Sequence, residues 1–496
     1  MKDMGDGTLC CAVAFCVHKK RIFVSIIQTD MKRILFALLA FVPFSVAMAQ
    51  GVNDSNTPLH LMKPDYSTPY VVPSAQEVKD VMDRVFRYID NNTPMIVEDN
   101  TSQKPLNNYR SIEENSRLRR GSFRLTSYEW GVTYSAMLRA TEVTGDKTYR
   151  DYAMDRMQFL ADIAPYFKKI ADRNREIDPL MRQVVAPAAL DDAGAIGAAM
   201  IKAQIVNRNL NLKGQIELRA DYVINRQQRL SDGNFARMRP QANTVWLDDM
   251  FMGLPIEALY SKYLRFIGKS EAESRSYEER AANDFLVFSN RMYVPSSGLY
   301  RHGWVEGMSV HPSFYWARAN GWALLTACEL LDCLPEETEG YGEIKKRFLA
   351  HMQRLAELQG HNGFWHQLLD RSDTYEETSA TAIYAYCMAH AINKGWADPM
   401  TYGPIAVLAW NAVSTKVSAQ GLVEGTCVGT GMAFDASFYA YRPVHSMAAH
   451  GYGPVLWAGA EIIEMLRRTH PKMNDSAVHF YPEQQDTDAP IFEVKR

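Results

Sequence analysis

From residue 75 to residue 468, apolar positions recur with the spacing of helices. The pattern predicts twelve of them: 75–93, 125–143, 146–166, 190–208, 211–229, 246–267, 273–291, 313–334, 341–358, 377–393, 401–417 and 453–468. They are of two kinds. "KTYRDYAMDRMQFLADI" and "YGEIKKRFLAHMQRLAEL" keep one polar face, as helices on a surface do. "GAIGAAMIKAQIV" and "ETSATAIYAYCMAHAI" are apolar nearly all round, as buried helices are. The apolar kind starts near 125, 190, 246, 313, 377 and 453, at intervals of about 65 residues, and short turns such as "EVTGDKTY" join partners.

A repeat of an inner helix followed by an outer one is an array of helical hairpins. Six hairpins can close into an (α/α)6 barrel; the open alternative is a solenoid. A solenoid needs a solvated concave face, and the inner segments are too apolar for one. The expected fold is therefore all-α, a closed (α/α)6 barrel. Closure gathers the N-terminal ends of the inner helices at one mouth. The loops that precede them are long and rich in rings and glycine: "GNFARMRPQANTVW", "SGLYRHGWVEGMSVHPSFYW", "NGFWHQLLDRSDTYEE" and "GLVEGTCVGTGMAFDASFYAYRPVHS". Long loops on a rigid scaffold are where function concentrates.

The chain before this region has a different logic. "MKRILFALLAFVPFSVAMAQG" begins at Met31 with a charged pair, continues with an apolar run and reaches Ala47-Met48-Ala49, the pattern of a secretory signal peptide. The expected division is 1–49 as an extension plus signal peptide with the true start at Met31, 50–74 as a linker, 75–470 as the catalytic domain and 471–496 as a tail. The implied destination is the periplasm or the medium, with no membrane insertion. A net charge of −3 over 496 residues leaves no electrostatic footprint for nucleic acid. Cys328, Cys333, Cys387 and Cys427 lack the spacing of a zinc site and are expected to be free or buried thiols. No metal-binding or nucleotide-binding motif is present, and no cofactor is expected.

Candidate chemistry lies at the inner-helix starts. "VWLDDMFMGLP" carries Asp248 and Asp249, and "AALDDAGAIG" carries Asp191 and Asp192, at matching places in successive repeats. One member of each pair suits a helix cap, favoured there by free N–H groups and the helix dipole. Pro255 is tolerated in a first turn, which sets the helix start near Met250 to Leu254. The second member is left to face the cavity. Two carboxyls facing one apolar pocket part in pKa, and the raised one can serve as a general acid. "YWARANGW" then offers Trp316, Arg318 and Trp322, with a cation spaced between two rings and a fork suited to a carboxylate. Trp246 and His302 are further candidates for binding.

The order of these motifs resembles glycoside hydrolase families 88 and 105, the unsaturated uronyl hydrolases, over about residues 75–468, and is closer to family 105. The resemblance implies an (α/α)6 barrel and two pocket acids, matching Asp248 and Asp192. It implies a binding set matching Trp316, Arg318 and Trp322 and a pocket histidine matching His302, to which Trp246 adds a ring that would exclude bulk water. Where the family often has histidine before the second acid, this chain has Asp191. The implied substrate is an oligosaccharide left by a polysaccharide lyase, with a 4,5-unsaturated uronyl residue, galacturonyl in family 105, at its non-reducing end. Asp248, protonated, would donate to C4; water deprotonated by the same residue would add at C5, and the hemiketal would open. Asp192 would hold the pKa of Asp248 and position sugar or water. The alternatives are a family 88-like unsaturated glucuronyl hydrolase, an inverting hydrolase or epimerase on the same scaffold, a sugar-binding helical-repeat protein, and a purely structural array.

Overall fold

The computed structural model describes residues 55–56, 70–473 and 477–484. The signal-peptide segment and Cys10, Cys11 and Cys16 lie outside the described residues. The chain divides at Met62/Lys63 into two units, and all the helices named below belong to the second.

Twelve long helices organise the described residues: α1 (Ala75–Asn91), α2 (Tyr128–Thr144), α3 (Lys147–Ala171), α4 (Leu190–Val206), α5 (Lys213–Asp221), α6 (Asp249–Phe266), α7 (Glu271–Met292), α8 (Ala317–Cys333), α9 (Tyr341–Glu357), α10 (Thr378–Asn393), α11 (Pro399–Thr415) and α12 (Tyr452–Thr469). The even-numbered helices form an inner ring. Each packs on the next, and α12 returns to α2. The odd-numbered helices lie outside: α3 on α2, α5 on α4, α7 on α6, α9 on α8 and α11 on α10. The sixth outer place is taken by α1, which packs on α12. The fold is the closed (α/α)6 barrel.

Burial separates the two kinds of helix as their sequences require. Every residue of α10 is buried, whereas α9 buries only the stripe Tyr341, Ile344, Phe348, His351, Met352 and Leu355. The ring closes tightly because glycine stands where neighbours meet. A Cβ on Gly194 would collide with the carbonyl oxygen of Met252, and one on Gly131 would collide with the backbone of Ala195. Pro255 sits in the second turn of α6, not the first, because the helix starts as early as Asp249. The missing N–H costs α6 an internal hydrogen bond.

The loops ahead of the inner helices carry short antiparallel pairs. Thr244–Trp246 pairs with Gly303–Val305, which sets Trp246 opposite Gly303 and brings His302 beside the start of α6. Cys328, Cys333, Cys387 and Cys427 are free and buried. Among the described residues no single helix is long and apolar enough to cross a membrane.

Candidate active site

Side chains at the inner-helix starts join neighbouring helices around one mouth. The Asp-Asp pairs divide unlike simple caps. Asp249 is fully buried and Asp191 partly so, and Arg237, from the preceding loop, bridges them. Its Nε donates to Asp249 at 2.9 and 3.0 Å; Nη1 and Nη2 donate to Asp191 at 2.9 and 3.1 Å. Burial pushes the Asp249 carboxyl up to about 6, against the pull of Arg237. Neither aspartate of α6 makes the expected side-chain cap: Asp248 holds the N-cap position without a capping bond. In α4 too no side chain caps the helix; Asp192 instead accepts from the N–H of Ala188, ahead of the helix, at 3.0 Å. Burial pushes Asp192 above the ordinary carboxyl range, and Asp191 adds to the push.

Asp248 faces the mouth. Its Oδ2 lies 3.0 Å from Nε2 of His302, and Nδ1 of His302 lies 2.6 Å from the Tyr439 hydroxyl. Among the described residues Oδ1 has no hydrogen-bond partner. Burial opposes its ionisation, yet the hydrogen bond and charge of His302, with Arg237 and Arg318, hold its carboxyl below the ordinary range. This corrects the expectation that Asp248 carries a proton at rest. Charged neighbours outweigh desolvation there, and the raised member of the pair is Asp192.

The expected binding residues gather at this end in roles that differ from those predicted. His302 is fully buried, with ring centroids 4.9 Å from Trp316 and 6.1 Å from Trp246, so it supports Asp248 and does not face open space. The Arg318 fork, expected to meet a carboxylate, is turned to the backbone. Nη1 donates to the Cys427 carbonyl at 2.7 Å and Nη2 to that of Val428 at 2.8 Å, with Glu377 at 3.7 Å. Arg318 thereby ties the long loop before α12 to the barrel. It stacks on Trp316 at 4.6 Å, but Trp322 stacks on Phe251 instead, so the cation is not held between two tryptophans. Trp316 and Trp322 are buried, and Trp246 nearly so, covered by Arg237 at 4.6 Å and Arg239 at 5.7 Å.

Two cavities open at this end. One, of about 510 Å³, is lined by Asp192, Tyr222, Arg226, Arg237 and Arg239 among others. The other, of about 390 Å³, is lined by Phe123, Glu129, Val428, Gly429, Met447 and His450 among others. A half-open carboxylate on a buried histidine, walled by rings and flanked by cavities, suits proton transfer on a bound polar molecule.

Comparison with known proteins decides the class. The sequence profile of Glycosyl Hydrolase Family 88 matches residues 88–466. The chain belongs to glycosyl hydrolase family 88. It is therefore a glycoside hydrolase. It is similar to the unsaturated rhamnogalacturonyl hydrolase YesR of Bacillus subtilis, at 23% identity over 300 residues, 59% of this chain and 83% of that protein. It is similar to the unsaturated 3S-rhamnoglycuronyl hydrolase of Formosa agariphila, at 25% identity over 224 residues, 44% of this chain and 58% of that protein. In fold it matches a possible member of the GH105 family from Salmonella enterica serovar Paratyphi A, with a TM-score of 0.60 at 21% identity over 83% of this chain and 98% of that one.

In this family 88 enzyme Arg237, Arg239, Glu129 and His450, which line the two cavities, were not singled out from the sequence. Glu129 had a signal: it stands in the first turn of an inner helix, as the aspartate pairs do. Arg237 and Arg239 lie in a loop that the sequence marks as a whole, but no period singles out the arginines within it.

Proposed function

We propose that this glycoside hydrolase removes a 4,5-unsaturated uronyl residue, with galacturonyl as the favoured sugar, from the non-reducing end of lyase-generated oligosaccharides. The observation that carries the reading is the free Oδ1 of Asp248, an open carboxylate oxygen whose partner oxygen is held by His302 and, behind it, Tyr439. Such a group can move one proton out and take another back. The names of the two relatives support the substrate class.

Asp248 is ionised in the free enzyme, and binding of an anionic uronate beside it raises its pKa, so Asp248 takes up a proton from solvent as the substrate binds. Protonated Asp248 then donates to C4, and positive charge spreads over C5 and the ring oxygen. Asp248, again a carboxylate, takes a proton from the water that adds at C5. The hemiketal opens and the glycosidic bond is lost. Arg239, whose side chain is 67% exposed beside Trp246, takes the place at the uronate carboxylate expected of Arg318. Trp246, Trp316 and Trp322 keep the site dry, and Asp192 positions sugar or water. A second reading follows from the raised titration of Asp192: it donates the proton to C4, and Asp248 serves only as base. We place the reaction outside the cytoplasm, on the pattern at residues 31–49.

The test follows the ultraviolet absorbance of the conjugated double bond in an unsaturated rhamnogalacturonan disaccharide. Loss of absorbance with the wild type and not with Asp248→Asn is expected. Loss only with unsaturated glucuronyl disaccharides would reassign the sugar, and loss with neither would end the reading. Loss with Asp248→Asn but not Asp192→Asn would transfer the acid role.

A further inference from the structure

Among the described residues, the 390 Å³ cavity is lined by residues with buried polar atoms that have no hydrogen-bond partner. Glu129, in the first turn of α2, has Oε1 3.5 Å from Nε2 of His450 and 3.8 Å from Arg124. Its Oε2 is buried without a partner. His450, just ahead of α12, has Nε2 2.5 Å from the Tyr128 hydroxyl, while its Nδ1 is buried without a partner. Native proteins rarely leave such atoms unpaired, and each one asks for an explanation.

The cavity adjoins the reacting end. One wall is Val428, whose carbonyl receives Arg318. Tyr128, bonded to His450, is half-buried and stands within reach of the charges of Glu129, Asp191, Arg318 and Asp248. The remaining walls include the apolar surfaces of Phe123, Met447 and Ala448. The 510 Å³ cavity brings three arginines, Arg226, Arg237 and Arg239, against one carboxylate, Asp192, whereas the 390 Å³ cavity has a single arginine, Arg124, already 3.8 Å from Glu129. Arginine suits the uronate; a carboxylate does not.

We infer that the cavity of Glu129 and His450 seats the sugar on the leaving side of the scissile bond, and that this pair restricts it to an uncharged residue. The inference rests on the proposed uronyl hydrolysis and adds the identity of its second sugar. A hydroxyl can donate to Oε2 of Glu129 while another meets Nδ1 of His450, which supplies both missing partners. A sulfate or carboxylate there would face the buried Glu129 carboxylate, and like charges repel more strongly beside a protein surface than in open solvent. The opposing cation, Arg124, is 56% exposed and already turned toward Glu129.

The test uses the full-length enzyme and two disaccharides with the same unsaturated uronyl end. One has an uncharged hexose or deoxyhexose in second place, the other its sulfated form. We expect kcat/KM to favour the uncharged sugar by about tenfold or more. Glu129→Gln is expected to narrow that ratio. Gly429→Leu fills the cavity; a Cβ at Gly429 meets only Cε1 of His450, at 3.9 Å, so the fold should tolerate the change. It should raise KM for both disaccharides and leave the methyl glycoside of the same uronyl sugar unaffected. Equal turnover of the two disaccharides by the wild type would overturn the inference, as would an unchanged ratio in Glu129→Gln. If neither double bond is lost, the parent reading falls and takes the inference with it. If both are lost at equal rates, only the inference falls.

Discussion

The two ends of the barrel use the same six inner helices and treat polar groups in opposite ways. At the far end, His390 of α10 lies 2.8 Å from Asp332 of α8 and 3.1 Å from Glu461 of α12. Glu461 also meets Arg139 at 2.6 Å and Asn393 at 2.7 Å; Asp332 meets Lys394 at 2.6 Å; and Lys202 meets Glu329 at 2.5 Å. Charge there is set beside opposite charge, at the fully buried Glu461 and at the partly exposed Arg139, Lys202 and Lys394 alike. The atoms of His390 and Asp332 that lack a well-aligned hydrogen bond still lie within 3.1 Å of an ion-pair partner. Burial opposes a charged His390, but Cys328, Glu461 and Asp332 push its titration well above the ordinary range. At the mouth, among the described residues, Asp248 has one oxygen without a partner, and Glu129, His450, Trp316 and Trp322 each bury a polar atom with neither a hydrogen bond nor, at that atom, an ion pair. One end ties the helices together. The other leaves polar groups unfilled, the usual mark of a site that awaits a ligand.

This contrast can be broken by substitution. Asp248→Asn should lower turnover by about 10²–10⁴-fold, the range for a general acid–base group. It should leave the thermal midpoint near that of the wild type; a large drop would make Asp248 a structural residue. Glu461→Ala should do the reverse. Removing one partner of a buried charge cluster costs about 3–5 kcal/mol, so denaturant titration should show a clear loss. The activity per folded molecule should hold, and a parallel loss of kcat would couple the two ends. Arg239→Ala should raise KM by about tenfold, the worth of a hydrogen bond to a charged group, with little change in kcat or stability. An unchanged KM would remove Arg239 from the uronate.

The smallest effect sharpens the contrast through pH. Glu461 is held at about 2, since His390 and Arg139 outweigh its burial. Its native pKa lies below the ordinary value, so its stabilisation is complete above about pH 4.5 and fades as the pH falls through about 2. His390 is shifted upward, so its share is complete below the ordinary imidazole range and is lost as the pH rises through its raised pKa. The stability gap between wild type and Glu461→Gln should therefore be widest between about pH 5 and 7 and should narrow in acid. A gap that stays constant in acid would place the stabilisation elsewhere.

Much of the fold is readable in the chain because helices announce themselves locally. The inner helices begin at Tyr128, Leu190, Asp249, Ala317, Thr378 and Tyr452, close to the starts expected from periodicity alone. The residue types at the mouth are equally visible, and Asp248, Asp192, Trp246, His302, Trp316 and Arg318 do gather there. What they touch is not visible. Arg318 is a fork suited to a carboxylate, yet two loop carbonyls and Glu377 claim it. A buried Asp248 suggests a stored proton, but His302 reaches it from a position 54 residues away. Direction and partner depend on loops, and loops have no period to read.

The closure of the ring by α1 against α12 also bears on how the protein is made. The first long helix waits for the last. Until Thr469 has left the ribosome, α1 has no inner helix to lie on, and α2 lacks one of its two ring neighbours. A nascent chain at any shorter length exposes an apolar flank. The barrel is thus assembled late, and a truncation that removes α12 loses two partnerships at once, with α1 and with α2.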